Sequence, residues 1–98
     1  MIDYRILSVA EEEAAEASSF YNEASPGIGI EFLKDLRHAI NRLREYPYLG
    51  TPIDDELRGL VMSRFPFKII YYVEPDSLVI VSVAHQSRRP DYWRGRIN

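Results

Sequence analysis

The spacing of apolar residues changes along the chain, and each spacing predicts a different kind of element. Residues 2–7 alternate apolar and polar side chains, which predicts a short strand. Residues 8–11, Ser-Val-Ala-Glu, have the spacing of a helix capping box, and the Ala- and Glu-rich run that follows predicts a helix to Ala24. The apolar stripe of this helix is made mostly of small side chains: Ala10, Ala14, Ala17 and Tyr21. Ser25-Pro26-Gly27 predicts its end.

A second helix is predicted over residues 28–46. Its stripe recurs at three- and four-residue spacing, which is typical of a helix with one buried face: Leu33, Leu36, Ile40 and Leu43. Pro47 ends the helix, and residues 46–52 have the composition of a loop. Because the link between the two helices is very short, they should form an antiparallel hairpin.

The second half of the chain has the composition of strands. Residues 57–65, 67–73 and 78–84 are rich in β-branched and aromatic side chains, and residues 74–77 form the turn between the last two. Pro66 marks a junction or bulge, and the residues from His85 onward are predicted to form a loop or short tail. The order β-α-α-β-β-β predicts an α+β fold, with a helical hairpin packed on one face of a small, mostly antiparallel sheet. At 98 residues, the chain is expected to form a single domain, residues 1–98.

Composition excludes several classes of site. Cysteine is absent, which rules out disulfides and thiolate chemistry. The two histidines, His38 and His85, lie far apart, so neither a metal site nor a cofactor is expected. The run Asp54-Asp55-Glu56 is interpreted as a solvated loop without an apolar setting that would raise a pKa. No apolar run is long enough to span a membrane and the first residues lack a signal-peptide pattern, so a cytoplasmic protein without membrane contact is expected.

Charge is distributed unevenly along the chain. The net charge is −3, with −7 in residues 1–57 and +4 in residues 58–98. The densest basic stretch is C-terminal and contains Arg88, Arg89, Arg94 and Arg96. Such a stretch presents a local positive field, although a solvated basic tail would have the same composition.

Residues with possible chemistry collect near this stretch. His85 ends the last predicted strand, Tyr92 and Trp93 follow, and Arg58, Arg64 and Lys68 lie on the preceding strands. If these strands pair as hairpins, Lys68 and His85 could approach each other across the sheet. Arginine forks beside aromatic rings suit contacts with phosphates or with acidic protein surfaces. A Lys–His–Tyr set could instead cut RNA without a metal. The structural alternatives are a backbone-bonded strand-end histidine for His85 and packing roles for Tyr92 and Trp93.

The strand-to-tail sequence resembles a known family. Residues 65–73 (FPFKIIYYV), residues 79–86 (VIVSVAHQ) and residues 88–93 (RRPDYW) are similar to the RelE/ParE superfamily of bacterial type II toxins, on the ParE or plasmid stabilisation side. Leu57-Arg58-Gly59-Leu60 fits the same pattern. The resemblance covers nearly the whole chain and implies the same element order.

The resemblance implies a growth-inhibiting toxin that a cognate antitoxin neutralises. On the ParE side it implies no catalysis and inhibition of DNA gyrase, with the target-binding candidates Arg58, Arg64, Arg88, Arg89, Tyr92 and Trp93. On the RelE side it implies a metal-free, ribosome-dependent mRNA endonuclease, with Lys68, His85 and Tyr92 as catalytic candidates. Leu60-Val61-Met62 stands where RelE ribonucleases have lysines, which favours the ParE side. A contact with operator DNA is implied only through the antitoxin. A toxin that has lost its activity and persists as a binding module is a third possibility.

Overall fold

The computed structural model describes residues 1–88 and 92–97 of the chain. The predicted α+β order is confirmed. The elements are β1 (Asp3–Ile6), α1 (Ser8–Ala24), α2 (Ile28–Glu45), β2 (Thr51–Pro52), β3 (Leu57–Val61), β4 (Phe67–Glu74), β5 (Ser77–His85) and a C-terminal 3₁₀ helix (Arg94–Ile97). In this described part, neither helix has the length and apolarity needed to cross a membrane.

The five strands form one mixed sheet in the order β1-β5-β4-β3-β2. β1 runs parallel to β5, from Asp3 opposite Ser77 to Ile6 opposite Ile80, and the other pairs are antiparallel. Two predictions were wrong, one for a loop and one for the end of a strand. Thr51–Pro52, predicted as loop, adds a short edge strand to β3. The strand predicted over residues 57–65 stops at Val61, because the chain turns there and the Met62 N–H donates to the Phe67 carbonyl at 2.8 Å.

The two helices pack closely as the predicted hairpin. Gly27 links them with φ at 93°, a conformation that glycine adopts without strain. A Cβ built on Gly29 would lie 2.4 Å from the Ser18 carbonyl oxygen, so only glycine allows this approach. The predicted capping box was wrong. Leu7 is the N-cap residue, and its carbonyl accepts from the N–H groups of Ala10 and Glu11 while no side chain caps the helix.

The main core lies between the hairpin and the inner face of the sheet. The predicted stripe of α1 is confirmed at Ala10, Ala14 and Ala17, and these small side chains let the sheet approach. On α2 the prediction was wrong for Leu33, which is 44% exposed, whereas Phe32 is fully buried. Phe32 packs with Tyr21, Phe65 and Phe67 in an aromatic cluster whose ring centroids lie 4.9–6.2 Å apart.

A second apolar cluster covers part of the outer face of the sheet. Leu57, Ile70 and Val81 are fully buried there beneath Trp93, which is 6% exposed. The C-terminal residues predicted as a loop or tail therefore include a packed segment, and Trp93 has the core-edge position that the sequence left open.

Candidate functional site

The C-terminal half of β5 has a strand on one side only. Pairing with β1 ends at Ile6, and the last bond on that side runs from the Leu7 N–H to the Ile80 carbonyl at 3.0 Å. Beyond it, side chains close the edge. Glu13 of α1 accepts from the Val83 N–H at 3.0 Å, and the Arg96 guanidinium donates to the Val81 carbonyl at 2.9 Å. These contacts satisfy backbone groups that a neighbouring strand would otherwise pair.

The Glu13 carboxylate is the centre of this arrangement. Arg96 approaches it with both terminal nitrogens, at 2.9 and 3.2 Å, in the fork geometry of a bidentate pair. The Tyr92 hydroxyl donates to it at 2.6 Å and the Ser82 hydroxyl at 3.0 Å. The Glu13 and Arg96 side chains are only 14% and 17% exposed. The carboxylate thus joins α1, β5 and the C-terminal segment.

The protonation states of the Glu13 carboxyl and the Tyr92 phenol follow from this geometry. Burial raises the pKa of Glu13, but the hydrogen bonds from Arg96, Tyr92 and the Val83 N–H together outweigh it, so the pKa lies below its ordinary value. Burial, followed by the bond to Glu13, raises the pKa of Tyr92. The carboxylate is therefore ionised and the phenol protonated at neutral pH.

Two guanidinium groups pack against the Tyr92 ring. The Arg88 guanidinium carbon lies 4.0 Å from the ring centroid, and that of Arg96 lies 5.1 Å from it. Arg96 donates to protein acceptors, whereas Arg88 is exposed and has no hydrogen-bond acceptor among the described residues. Arg88 thus stacks on Tyr92 and is otherwise exposed.

His85 and Arg88 border a shallow cavity of about 330 Å³. Its apolar wall is formed by Ala17, Phe20, Tyr21, Phe67 and Val83, and its polar rim includes Glu13, Glu16 and Tyr92. His85 Nδ1 accepts from the Ser87 N–H at 2.9 Å, so Nε2 carries the proton when the ring is neutral. The backbone-bonded interpretation of His85 is therefore the one that the structure shows.

The predicted approach of Lys68 to His85 was wrong. The strand register places Lys68 opposite Ala84 and Phe67 opposite His85. Because paired residues share a face and neighbours alternate, Lys68 and His85 lie on opposite faces of the sheet. His85 lies on the helix side against the Phe67 ring, with centroids 5.1 Å apart, whereas the stem of Lys68 lies over Gly59.

The other basic candidates bind parts of their own chain. Arg58 donates to the carbonyls of Gly50 and Tyr48, at 2.9 and 3.2 Å, and thus fixes the loop before β2. Arg64 forms an ion pair of 3.2 Å with Glu31 of α2. Within the described part of the chain, neither forms a hydrogen bond, ion pair or ring contact with Arg88 or Tyr92. Arg89 lies outside the described residues. Whether any of these candidates contacts a target stays a prediction.

The acidic run at residues 54–56 organises a turn. Asp54 accepts from the Leu57 and Glu56 N–H groups, at 2.7 and 2.9 Å, and pairs with Arg94 at 2.5 Å. The Leu57 N–H first, then Arg94 and the Glu56 N–H, lower the pKa of Asp54 to about 2. Arg94 of the C-terminal segment is thereby tied to the loop before β3. Residues 54–56 are exposed and lie in a loop, as the sequence predicted.

Sequence reasoning missed Glu13 and Ser82. Glu13 is one of three consecutive glutamates in a helix, and nothing in the sequence separates it from its neighbours. Ser82 offered a signal, because it is the one hydroxyl in the apolar run of residues 78–84 and a buried hydroxyl requires a partner. No set of three or more metal-ligating side chains is present within residues 1–88 and 92–97.

Two comparisons with known proteins give matches. A family model described as "ParE toxin of type II toxin-antitoxin system, parDE" matches residues 4–90. A solved chain described as "Chromosomal ParDE TA system from P. aeruginosa" superposes with a TM-score of 0.76 at 16% identity, covering 87% of this chain and 96% of that one. At this identity, the superposition shows a shared fold. No curated protein matches significantly.

Proposed function

The chain belongs to the ParE toxin family of type II toxin–antitoxin systems, and from this premise we propose that it stops growth in the bacterial cytoplasm by inhibiting DNA gyrase, without chemistry of its own, until a cognate antitoxin binds it. The toxin class follows from the family. The gyrase target, the absence of catalysis and neutralisation by the antitoxin are parts of the proposal. Contact with operator DNA is proposed only through the antitoxin.

The single observation that carries the proposal is the state of Arg88. Its guanidinium is exposed, is held 4.0 Å from the Tyr92 ring centroid and has no acceptor among the described residues. Arginine beside an aromatic ring is typical of the residues that dominate protein–protein interfaces. Arg88 and Tyr92 therefore form a rigid contact for an acidic protein surface, beside the apolar wall of the cavity.

The geometry gives no support to a ribonuclease. The alternative activity, mRNA cleavage, requires Lys68, His85 and Tyr92 around one phosphate. However, Lys68 lies on the opposite face of the sheet from His85. The Tyr92 hydroxyl already donates to Glu13. A proton donor or acceptor must lie within hydrogen-bond reach of the reacting atom.

The antitoxin is proposed to bind the groove between α1 and α2, which has a volume of about 800 Å³ and extends to β1. Small residues of α1 line one side of it, and Leu33 and Ile40 of α2 line the other. The Leu33 side chain is 44% exposed. Arg37 lies on the rim, exposed and without an acceptor among the described residues. An amphipathic helix with acidic residues beside its apolar face fits this groove.

The test is induction of the chain in a bacterial host, followed by assays of DNA breaks and mRNA integrity in the same culture. We expect gyrase-linked DNA breaks and intact mRNA. Arg88→Ala should need roughly 30-fold more protein for the same breakage, as expected for a central interface arginine, while Arg42→Ala should behave as wild type. Arg42 is the matched control because it is an exposed helix arginine whose side chain forms no hydrogen bond or ion pair with any described residue. In-frame mRNA cuts that Lys68→Ala abolishes would overturn the proposal.

The antitoxin groove is tested separately. Arg37→Glu should remain toxic but should escape neutralisation by the antitoxin, whereas Arg88→Ala should still bind it. Equal neutralisation of wild type and Arg37→Glu would refute the groove.

A further inference from the structure

Five hydrogen bonds converge on the Glu13 carboxylate. Their donors come from two groups of elements: Val83 and Ser82 belong to β5, whereas Tyr92 and the two Arg96 nitrogens belong to the C-terminal segment. Glu13 itself belongs to α1, at the other end of the sequence. A single side chain of the helical hairpin thus holds both the edge of the sheet and the segment beside it.

Tyr92 transmits this restraint to Arg88. The 2.6 Å bond from the Tyr92 hydroxyl to Glu13 fixes the direction of the phenol, and Arg96 packs on the ring. The Arg88 guanidinium stacks on the same ring at 4.0 Å. Arg88 has no hydrogen-bond acceptor among the described residues, so stacking on the Tyr92 ring is what holds its side chain. The orientation of Arg88 therefore depends on that of Tyr92.

We infer that Glu13 is a positioning residue for target binding: its carboxylate fixes Tyr92 and, through the stacked ring, the Arg88 fork that contacts the target. This inference rests on the proposed function for the identity of the contact. Glu13 does not need to touch the target, because it acts through Tyr92. Without the carboxylate, the Tyr92 and Arg88 side chains become ordered only when the target binds. The free-energy cost of ordering them would weaken target binding about 5- to 100-fold.

The chain provides a spectroscopic reporter for the segment. Trp93 is its single tryptophan, is 6% exposed and follows Tyr92 directly. Its emission therefore reports whether the C-terminal segment remains on the sheet. Glu12 provides the matched control, because it is an exposed glutamate next to Glu13 on the same helix, lies outside the cavity and forms no hydrogen bond or ion pair with the described residues.

The experiment compares Glu13→Ala, Glu13→Gln and Glu12→Ala in the full chain, at a temperature where circular dichroism shows all to be folded. In Glu13→Ala we expect red-shifted Trp93 emission, greater quenching by acrylamide and a 5- to 100-fold loss of gyrase-dependent DNA breakage. Glu13→Gln keeps one acceptor oxygen, so it should restore part of both signals. Glu12→Ala should match wild type.

Two results would overturn the inference: unchanged Trp93 emission in Glu13→Ala, or shifted emission with breakage equal to wild type. General destabilisation would lower the melting temperature without changing the emission of the folded protein. Failure of the proposed function is distinguishable from both. In that case the wild-type chain itself gives no gyrase-dependent breaks, while the emission shift of Glu13→Ala persists.

Discussion

Replacing Tyr71 by phenylalanine removes one oxygen atom from a fully buried position of β4. The Tyr71 hydroxyl donates to the Pro47 carbonyl at 2.7 Å and accepts from the Gly50 N–H at 2.9 Å. It thereby fixes the loop that joins α2 to β2. The substitution leaves the Gly50 N–H buried without a partner, since a Cβ at Gly50 would lie only 2.7 Å from the Tyr71 ring and this close contact leaves little room for water.

The expected loss is worked out from the two bonds. A buried donor left without a partner costs about 1–3 kcal/mol, and the half-buried Pro47 carbonyl, which water can reach, adds about 0.5–1 kcal/mol. The free energy of unfolding should fall by about 1.5–4 kcal/mol, and the melting temperature by roughly 6–30 °C for a domain of this size. Tyr72→Phe is the matched control, because Tyr72 is half-buried and its hydroxyl forms no hydrogen bond with residues 1–88 or 92–97.

The assay is urea unfolding of both variants, followed by circular dichroism. An unchanged slope with a lower midpoint for Tyr71→Phe would show a change of stability alone. If the two variants unfold within about 0.5 kcal/mol of each other, the loop is not held by this hydroxyl and the reasoning is refuted.

Three further outcomes are expected. Gly29→Ala should destabilise the fold by about 1–2 kcal/mol in urea, since overpacking against the Ser18 carbonyl at 2.4 Å outweighs the roughly 1 kcal/mol gained in helix propensity. On acidification the chain should lose stability, because the pKa of Glu13 is depressed below its ordinary 4.5: its contribution is complete above that value and is lost as pH falls through the folded-state pKa. Glu13→Gln should therefore show a shallower decline in acid unfolding. The Asp54 carboxyl should titrate near pH 2 by NMR, and Arg94→Ala should raise its pKa while leaving it below 3.8, because two N–H groups still donate.

Each of these outcomes has a result that contradicts it. Gly95→Ala, where a Cβ would meet nothing within 4 Å, is the control for Gly29→Ala, and equal stability of the two would show that the hairpin accommodates the added methyl. Parallel acid curves for wild type and Glu13→Gln would remove Glu13 as a source of the pH dependence. An Asp54 titration unchanged by Arg94→Ala would show that the ion pair does not influence the carboxyl.

Local patterns were sufficient for both helices and the longer strands, but they missed the short edge strand β2. Periodicity predicted both helices and the β4 and β5 strands, because apolar faces must be buried and their spacing is fixed by backbone geometry. The strand motif around Tyr71 and the Ala-His-Gln ending also carried the resemblance to the family. The alternation of residues on β4 and β5 does not give the register between the two strands, and contacts across the sheet depend on that register. For that reason Lys68 and His85 were expected to lie close to each other.

The sequence by itself determined the element order, the α+β class and the family. Only the tertiary structure decided which of several similar charged residues act together. It selected Glu13 from three consecutive glutamates. It also left Arg88 without an acceptor among the described residues, while Arg58, Arg64 and Arg96 bind their own chain. The physical reason is that a charged side chain is defined by its partners, and the partners of Glu13 lie about 70 to 83 residues away in sequence. Local spacing carries no record of such contacts; they arise when β1 ends early and leaves the edge of β5 to be closed by side chains.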